Sequence, residues 1–254
     1  MKSALTIAGS DPTGGAGFQA DLKVFRAFGV HGLSIPAALT AQNTSGIGRI
    51  FPVERDFFRM QMDELLGDIQ PDALKTGMLY SVWAVEVIAE KIKECSLTNL
   101  VVDPVTVSSS GTSLVEEGTL DRLRDKLFPM ARVITPNIYE ASVFTGMNIE
   151  DEKDMKEAAL KLKKMGPEVV VVTGGHLERF TLDLYYDGND FHALETSRIP
   201  GEYHGTGCAF SAAITACLAS GHDPLESFRK AKEFVTEAIR KAYHLGRGMG
   251  LLYL

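Results

Sequence analysis

Short runs of β-branched and other apolar residues alternate with stretches of helical spacing along almost the whole chain. Leu5 to Ala8, Ser34 to Leu39, Ala73 to Thr76, Leu100 to Val102, Val133 to Thr135 and Val169 to Thr173 read as buried strands. Gln19 to Phe28, Asp56 to Leu66, Val82 to Glu94, Leu120 to Phe128 and Asp154 to Lys164 read as the helices between them. This order predicts an α/β fold: a central, mostly parallel sheet with helices on both faces. Val169-Val170-Val171-Val172 has no polar face, which suits a strand covered on both sides. After Gly175 the pattern changes. Thr181 to Tyr186 and Phe191 to Glu195 flank Asp187-Gly188-Asn189 and read as an antiparallel hairpin at the sheet edge. Two helices follow, Cys208 to Ser220 and Pro224 to Tyr243, with Gly221-His222-Asp223-Pro224 as stop and start signals. No linker or repeat interrupts the 254 residues, so one domain spanning 1–254 is expected.

In a parallel sheet, ligands bind at the carboxyl ends of the strands. The unusual polar and glycine residues gather there: Gly9-Ser10-Asp11, Gln42-Asn43, Asp103-Pro104, Thr135-Pro136-Asn137 and Thr173-Gly174-Gly175. They are scattered in sequence, and the fold predicts that they meet along one rim.

Composition narrows the classes. A net charge of −7 and the lack of a dense basic run argue against nucleic acid as a partner. No stretch has the length of a membrane-spanning helix, and Met1 to Ala8 reads as a first strand rather than a secretory signal. Three cysteines make no disulfide framework, so a reduced, cytoplasmic protein is expected.

The densest chemical signal is His204-Gly205-Thr206-Gly207-Cys208, a glycine-rich turn opening the apolar helix Ala209 to Ala219. A helix N-terminus presents unpaired N–H groups and partial positive charge, so this turn is a candidate cradle for a phosphoryl group. A thiol in that first turn is expected to have a lowered pKa and to accept a proton, although an incoming phosphate opposes this. Gly9 to Gly17 is also glycine-rich, but it lacks both the dinucleotide fingerprint and the P-loop ending. Asp21, four residues beyond Gly17, fits an exposed first-turn carboxylate. Asn137 with Glu140 fits a helix capping box.

Seven blocks in register resemble the bacterial hydroxymethylpyrimidine/phosphomethylpyrimidine kinases, of the ribokinase-like fold. They are Ala4 to Lys23, Ala38 to Thr44, Lys75 to Met78, Asp103 to Val105, Ile134 to Asn137 with Glu140-Ala141, Gly174 to Leu177, and His204 to Cys208. The resemblance implies ATP-dependent phosphorylation of a pyrimidine alcohol in thiamine biosynthesis, with Mg²⁺, in a homodimer. It implies that Asp21 and Gln42 face the pyrimidine, while Gly9, Ala16, Met78 and Val105 shape the slot around it. Asn137, Thr173 and Gly175 are implied at the nucleotide, Glu140 and Asp103 at magnesium, and Gly205, Thr206, Gly207 and Cys208 at the transferring phosphoryl. Where many relatives in the wider fold have Asp as general base, this chain has Cys208.

Two departures stand out. Thr173 replaces a Lys common in the family, and Ser108-Ser109-Ser110-Gly111 replaces a Lys-containing loop. Less positive charge there predicts a weaker second phosphorylation. Two other readings stay open: a pyridoxal or pyridoxine kinase with the same slot, and a sensor that retained the pocket without turnover.

Overall fold

The computed structural model describes residues 1–107, 111–174 and 180–254, with Phe180 described by its backbone alone. Nine strands form one sheet: β1 (Ser3–Gly9), β2 (His31–Asn43), β3 (Gly46–Pro52), β4 (Ala73–Thr76), β5 (Leu100–Val102), β6 (Val133–Ile134), β7 (Val169–Gly174), β8 (Phe180–Tyr186) and β9 (Phe191–Ser197). Their order is β3-β2-β1-β4-β5-β6-β7-β8-β9. The six strands from β2 to β7 in that order pair in parallel, and both margins are antiparallel. The helices are α1 (Gly17–Ala27), α2 (Arg55–Asp68), α3 (Val82–Glu94), α4 (Thr119–Arg122), α5 (Ile138–Thr145), α6 (Glu152–Lys163), α7 (Thr206–Ala219) and α8 (Pro224–Arg240).

The two-residue period of the strands divides the interior into two cores. On one face Leu5, Ile7, Val170 and Val172 pack with Phe58, Met62, Ile88 and Leu162 from α2, α3 and α6. On the other, Ala4, Val169 and Val171 pack with Val24, Ala213, Phe228 and Ala231 from α1, α7 and α8. The valine run of β7 thus serves both faces. Phe228 is fully buried, with its ring centroid 5.7 Å from that of Tyr185 and 6.2 Å from that of Phe210. Phe228→Ala is expected to cost about 3–5 kcal/mol of unfolding free energy, measurable as a lower urea midpoint.

The expected strands, edge hairpin and helices are all present, with changes at their ends. The segment expected as one helix from Leu120 to Phe128 is α4, followed by a π-type turn over Leu123–Leu127 and a 3₁₀ turn over Phe128–Met130. The segment expected at Ser34 to Leu39 is much longer. Its second half, Ala38 to Asn43, pairs antiparallel with β3, which the sequence reading did not assign. The tail Gly246 to Leu254 packs back onto the domain. Its β11 (Gly250–Leu251) pairs in parallel with β10 (Tyr203–His204), and Leu251 and Leu252 are buried.

Candidate active site

The chain leaves β1 toward β2 on one side and returns to β4 on the other, so the winding reverses between β1 and β4. Such a switch point opens a crevice at the carboxyl ends of the strands. Here a crevice of about 730 Å³ runs along that rim. A second hollow of about 480 Å³, beside Glu116, Glu117, Asp121 and Arg124, holds none of the predicted residues.

The anion cradle lies at the start of α7. Gly205 is the N-cap, with φ +82° and no side-chain cap, so no side chain closes the first turn. Thr206, Gly207 and Cys208 follow on the crevice wall. The Cys208 thiol takes a hydrogen bond from the Gly17 N–H. Its acidity is the reverse of the expectation. Burial pushes the thiol up to about 12, opposed by the nearby Lys75 and reinforced by Asp103 and Asp21. Removal of a thiolate from water is the largest of these influences, ahead of the attraction of Lys75.

Gly9, Ala16, Met78 and Val105 line the apolar part of the crevice. Met78 packs with Ala38, Leu114, Ile47 and Val105 in a small cluster of its own, so it is both core and wall. Gln42 lies on the extension of β2, half-buried, with Oε1 accepting from the Thr40 hydroxyl at 3.2 Å. Its Nε2 is 3.1 Å from Nε2 of His204.

Asp21 also lines the crevice. It is fully buried, and Oδ2 accepts from the Thr6 hydroxyl at 2.5 Å while Oδ1 accepts from Lys75 Nζ at 2.8 Å. Both oxygens are engaged, so Asp21 is no exposed first-turn carboxylate. Lys75 itself was read only as part of a motif. Its ammonium is fully buried and 3.9 Å from Asp103.

Asp103 and Glu140 stand together. Asp103 Oδ2 accepts from the Ser211 hydroxyl at 2.8 Å. Glu140 accepts from the N–H of Asn137 at 3.0 Å and of Thr106 at 3.3 Å, and Asn137 Oδ1 accepts from the Glu140 N–H at 2.9 Å. The capping box is therefore present, at the crevice. Burial and the nearby Asp103 push Glu140 up to about 8. Two buried carboxylates that repel one another suit a hard cation, and magnesium needs few protein ligands because it keeps its waters. Among the described residues, no group of three His, Cys, Asp or Glu converges on a metal position. The donor set fits a water-rich magnesium shell rather than a closed metal cage.

Thr173, next to last in β7, lies beside Asn137, with which it forms an isolated parallel bridge. Gly175 and Ser108 to Ser110 lie outside the described residues. The same end of the crevice carries a buried cation that the sequence reading missed. Lys232 of α8 donates to Asp183 at 2.8 Å, and Asp183 accepts from the Gly174 N–H at 3.0 Å.

Asp11 was read only as part of the rim. Its carboxylate accepts from the Thr13 and Ala16 N–H groups at 2.9 and 2.8 Å, and from His204 Nε2 at 2.8 Å. It ties the Gly9 to Gly17 loop to the segment entering α7. Burial pushes its carboxyl up, but the hydrogen bonds from His204 and Thr13 outweigh it and hold it below the usual value.

Residues 11–253 match the family model described as phosphomethylpyrimidine kinase. The chain is 42% identical to a hydroxymethylpyrimidine/phosphomethylpyrimidine kinase of Bacillus subtilis, over 97% of this chain and 92% of that one. It is equally, at 42%, identical to a pyridoxine kinase of the same organism, over 98% and 94%. It is 46% identical to a thiamine biosynthesis bifunctional protein of Geobacter sulfurreducens, of which it spans about half (51%) while 98% of this chain is covered. The fold is similar to that of a Staphylococcus aureus pyridoxal kinase solved with AMP-PCP and pyridoxal, with a TM-score of 0.92 and 35% identity over 99% of this chain and 93% of that one.

Proposed function

Since the chain belongs to the phosphomethylpyrimidine kinase family, and so is a phosphotransferase of the kinase type, we propose that it phosphorylates 4-amino-5-hydroxymethyl-2-methylpyrimidine, and then its monophosphate, from ATP in thiamine biosynthesis. One observation carries this reading. A single crevice joins the apolar slot of Met78 and Val105, next to Gln42, to the open first turn of α7 with Cys208. A flat heteroaromatic ring needs such walls and a few in-plane polar partners.

Phosphoryl transfer is mostly positioning and charge stabilisation. The acceptor hydroxyl oxygen bonds to the γ-phosphorus, the bond from that phosphorus to the bridging oxygen breaks, and ADP leaves with the electron pair. The N–H groups of Thr206, Gly207 and Cys208 would receive the transferring oxygens. The hydroxyl proton passes to the Cys208 thiolate, a minor form in the empty crevice, and returns from there to water. Asp103 and Glu140 would hold Mg²⁺ through water, Asn137 and Thr173 the nucleotide. When bound, magnesium neutralises charge that builds on the phosphates.

The pyridoxine kinase relative and the pyridoxal kinase structure favour a second reading, the same transfer to a pyridoxal hydroxymethyl group. Coupled ADP release with the pyrimidine alcohol, its monophosphate and pyridoxal separates the readings. Turnover of the alcohol is expected, with slower turnover of the monophosphate because Thr173 carries no charge. Turnover confined to pyridoxal would transfer the assignment, and no ADP release with any of them would leave a sensor. Three free thiols support a reducing, cytoplasmic setting. The cross-strand pair Leu39 and Phe51, both exposed, supports a homodimer. Among the described residues, no helix is long and apolar enough to cross a membrane.

A further inference from the structure

The chain ends in a closed loop. Tyr243 and Leu251 exchange two backbone hydrogen bonds, of 3.0 and 2.8 Å, and so pin residues 244–250 at their base. At its tip the loop is fitted to the turn between β2 and β3. The Gly248 N–H donates to the Thr44 hydroxyl at 3.2 Å, and the Met249 N–H donates to the Thr44 carbonyl at 3.1 Å. The fit leaves no spare room: a Cβ at Gly246 would stand 2.2 Å from Thr44 Oγ1, and one at Gly248 1.9 Å from the Thr44 carbonyl oxygen. The cores do not need this clasp. Leu251 and Leu252, which follow it, are buried beyond the base of the loop, whereas residues 244–247 are exposed.

What the clasp holds is Met249, half-buried, the one residue of the loop that lines the crevice. Its place along the crevice follows from its neighbours. Thr44, which takes the Met249 N–H, lies two residues from Gln42. Leu251, two residues beyond Met249, pairs with His204, and Nε2 of His204 is 3.1 Å from Nε2 of Gln42. Met249 therefore stands at the Gln42 end of the crevice. A flexible, polarisable thioether suits contact with an aromatic ring. We infer that Met249 is a specificity-determining residue: clasped by Thr44, it forms an apolar wall against the ring of the acceptor alcohol. The class of that ligand, a flat heteroaromatic ring, rests on the function proposed above.

Two variants separate the wall from its clasp, and Met249 and Thr44 belong to neither of the two main cores, so the fold should survive both. Met249→Ala is expected to raise the KM for the acceptor alcohol by on the order of tenfold at an unchanged KM for ATP, the discrimination a hydrophobic pocket provides. Leu245→Ala, at an exposed position of the same loop, is expected to keep both values. Thr44→Val keeps the shape and removes the hydroxyl. Its readout is trypsin, which cuts after the exposed Arg247 with no substrate present. Loss of one hydrogen bond is expected to speed release of the peptide Gly248 to Leu254, followed by mass spectrometry, by about 2- to 10-fold. In the wild type, the pyrimidine alcohol or pyridoxal, added without ATP, is expected to slow the same cut, and to slow it less in Met249→Ala.

An acceptor KM that stays at the wild-type value in Met249→Ala, that rises together with the KM for ATP, or that rises equally in Leu245→Ala would overturn the assignment of Met249. A wild-type cutting rate in Thr44→Val would overturn the clasp. If no alcohol releases ADP, the protease decides alone: slowing by either ring that Met249→Ala weakens supports the wall, and a rate that neither ring changes refutes it. Slowing without ADP release would count against the proposed function and leave Met249 as the wall of a ring-binding site.

Discussion

Gly205→Ala is expected to lower turnover by on the order of 10³-fold while leaving the circular dichroism spectrum of the folded protein in place. The residue has φ +82°, and a Cβ there would stand 1.8 Å from the carbonyl oxygen of Gly15 and 2.8 Å from its carbonyl carbon. The left-handed conformation alone costs alanine about 1–2 kcal/mol. The collision is worse, because it is with backbone, and no side chain can turn aside to relieve it. Either the first turn of α7 or the Gly9 to Gly17 loop must move by more than an ångström. The first carries the N–H groups proposed to hold the phosphoryl, and loss of a single such donor costs about 10²–10³ in rate. The body of α7 is anchored independently, since Ala209 to Ala219 are all buried, so the fold should survive. Gly67→Ala makes a matched control. Its added methyl meets nothing within 4 Å, it lies in α2 away from the crevice, and turnover should match the wild type. Wild-type turnover in Gly205→Ala would mean that the approach of the two loops does not matter to the chemistry.

The parts of this molecule that were legible in its sequence are those where one force dominates. Val169 to Val172 can only be a strand buried on both faces, and β7 is one. The rim of polar residues followed from the parallel sheet alone, because every strand in it delivers its carboxyl end to the same side. β3 was hidden because Gly46, Gly48 and Pro52 interrupt its alternation, and it holds its place by pairing with the extension of β2. Asp21 was legible in principle. It lies three and four residues before Val24 and Phe25, on the stripe that α1 turns toward the sheet, and a carboxylate on that stripe needs a buried partner. Lys75, the one charge in β4, was the complementary signal. Each looked ordinary alone, and the pair exists only once α1 packs on β1, the strand that pairs with β4. Cys208 shows the opposite situation. Helix-end electrostatics, burial and three charged neighbours all act on it, and their relative size depends on distances that no spacing encodes. The helix terminus was visible in the sequence; the burial that raises the thiol was not.

That balance makes pH the sharpest probe of Cys208. Cys208→Ala is expected to reduce turnover by about 10²–10⁴-fold, the range for a positioned acid–base group. The pH profile separates that role from simple packing. With the thiol pushed up to about 12, its thiolate is scarce at pH 7 and grows tenfold for each pH unit as the pH rises. Wild-type turnover should therefore climb with pH and still be climbing between pH 9 and 10. Glu140 also ionises over part of this range, since it is raised to about 8, and its negative form favours a bound cation. Its contribution is therefore absent at low pH, grows through pH 8 and is complete by about pH 9. The two groups separate above that point: the wild type keeps rising because of Cys208, whereas Cys208→Ala levels off once Glu140 is ionised. Initial rates from pH 6 to 10 at saturating ATP and limiting magnesium would measure both limbs, since saturating magnesium would itself hold Glu140 ionised. A wild-type profile that is flat above pH 9, with the variant parallel to it, would show that Cys208 takes no proton. The thiol would then be one more neutral wall of the phosphoryl cradle, and the proton would have to leave with the product phosphate.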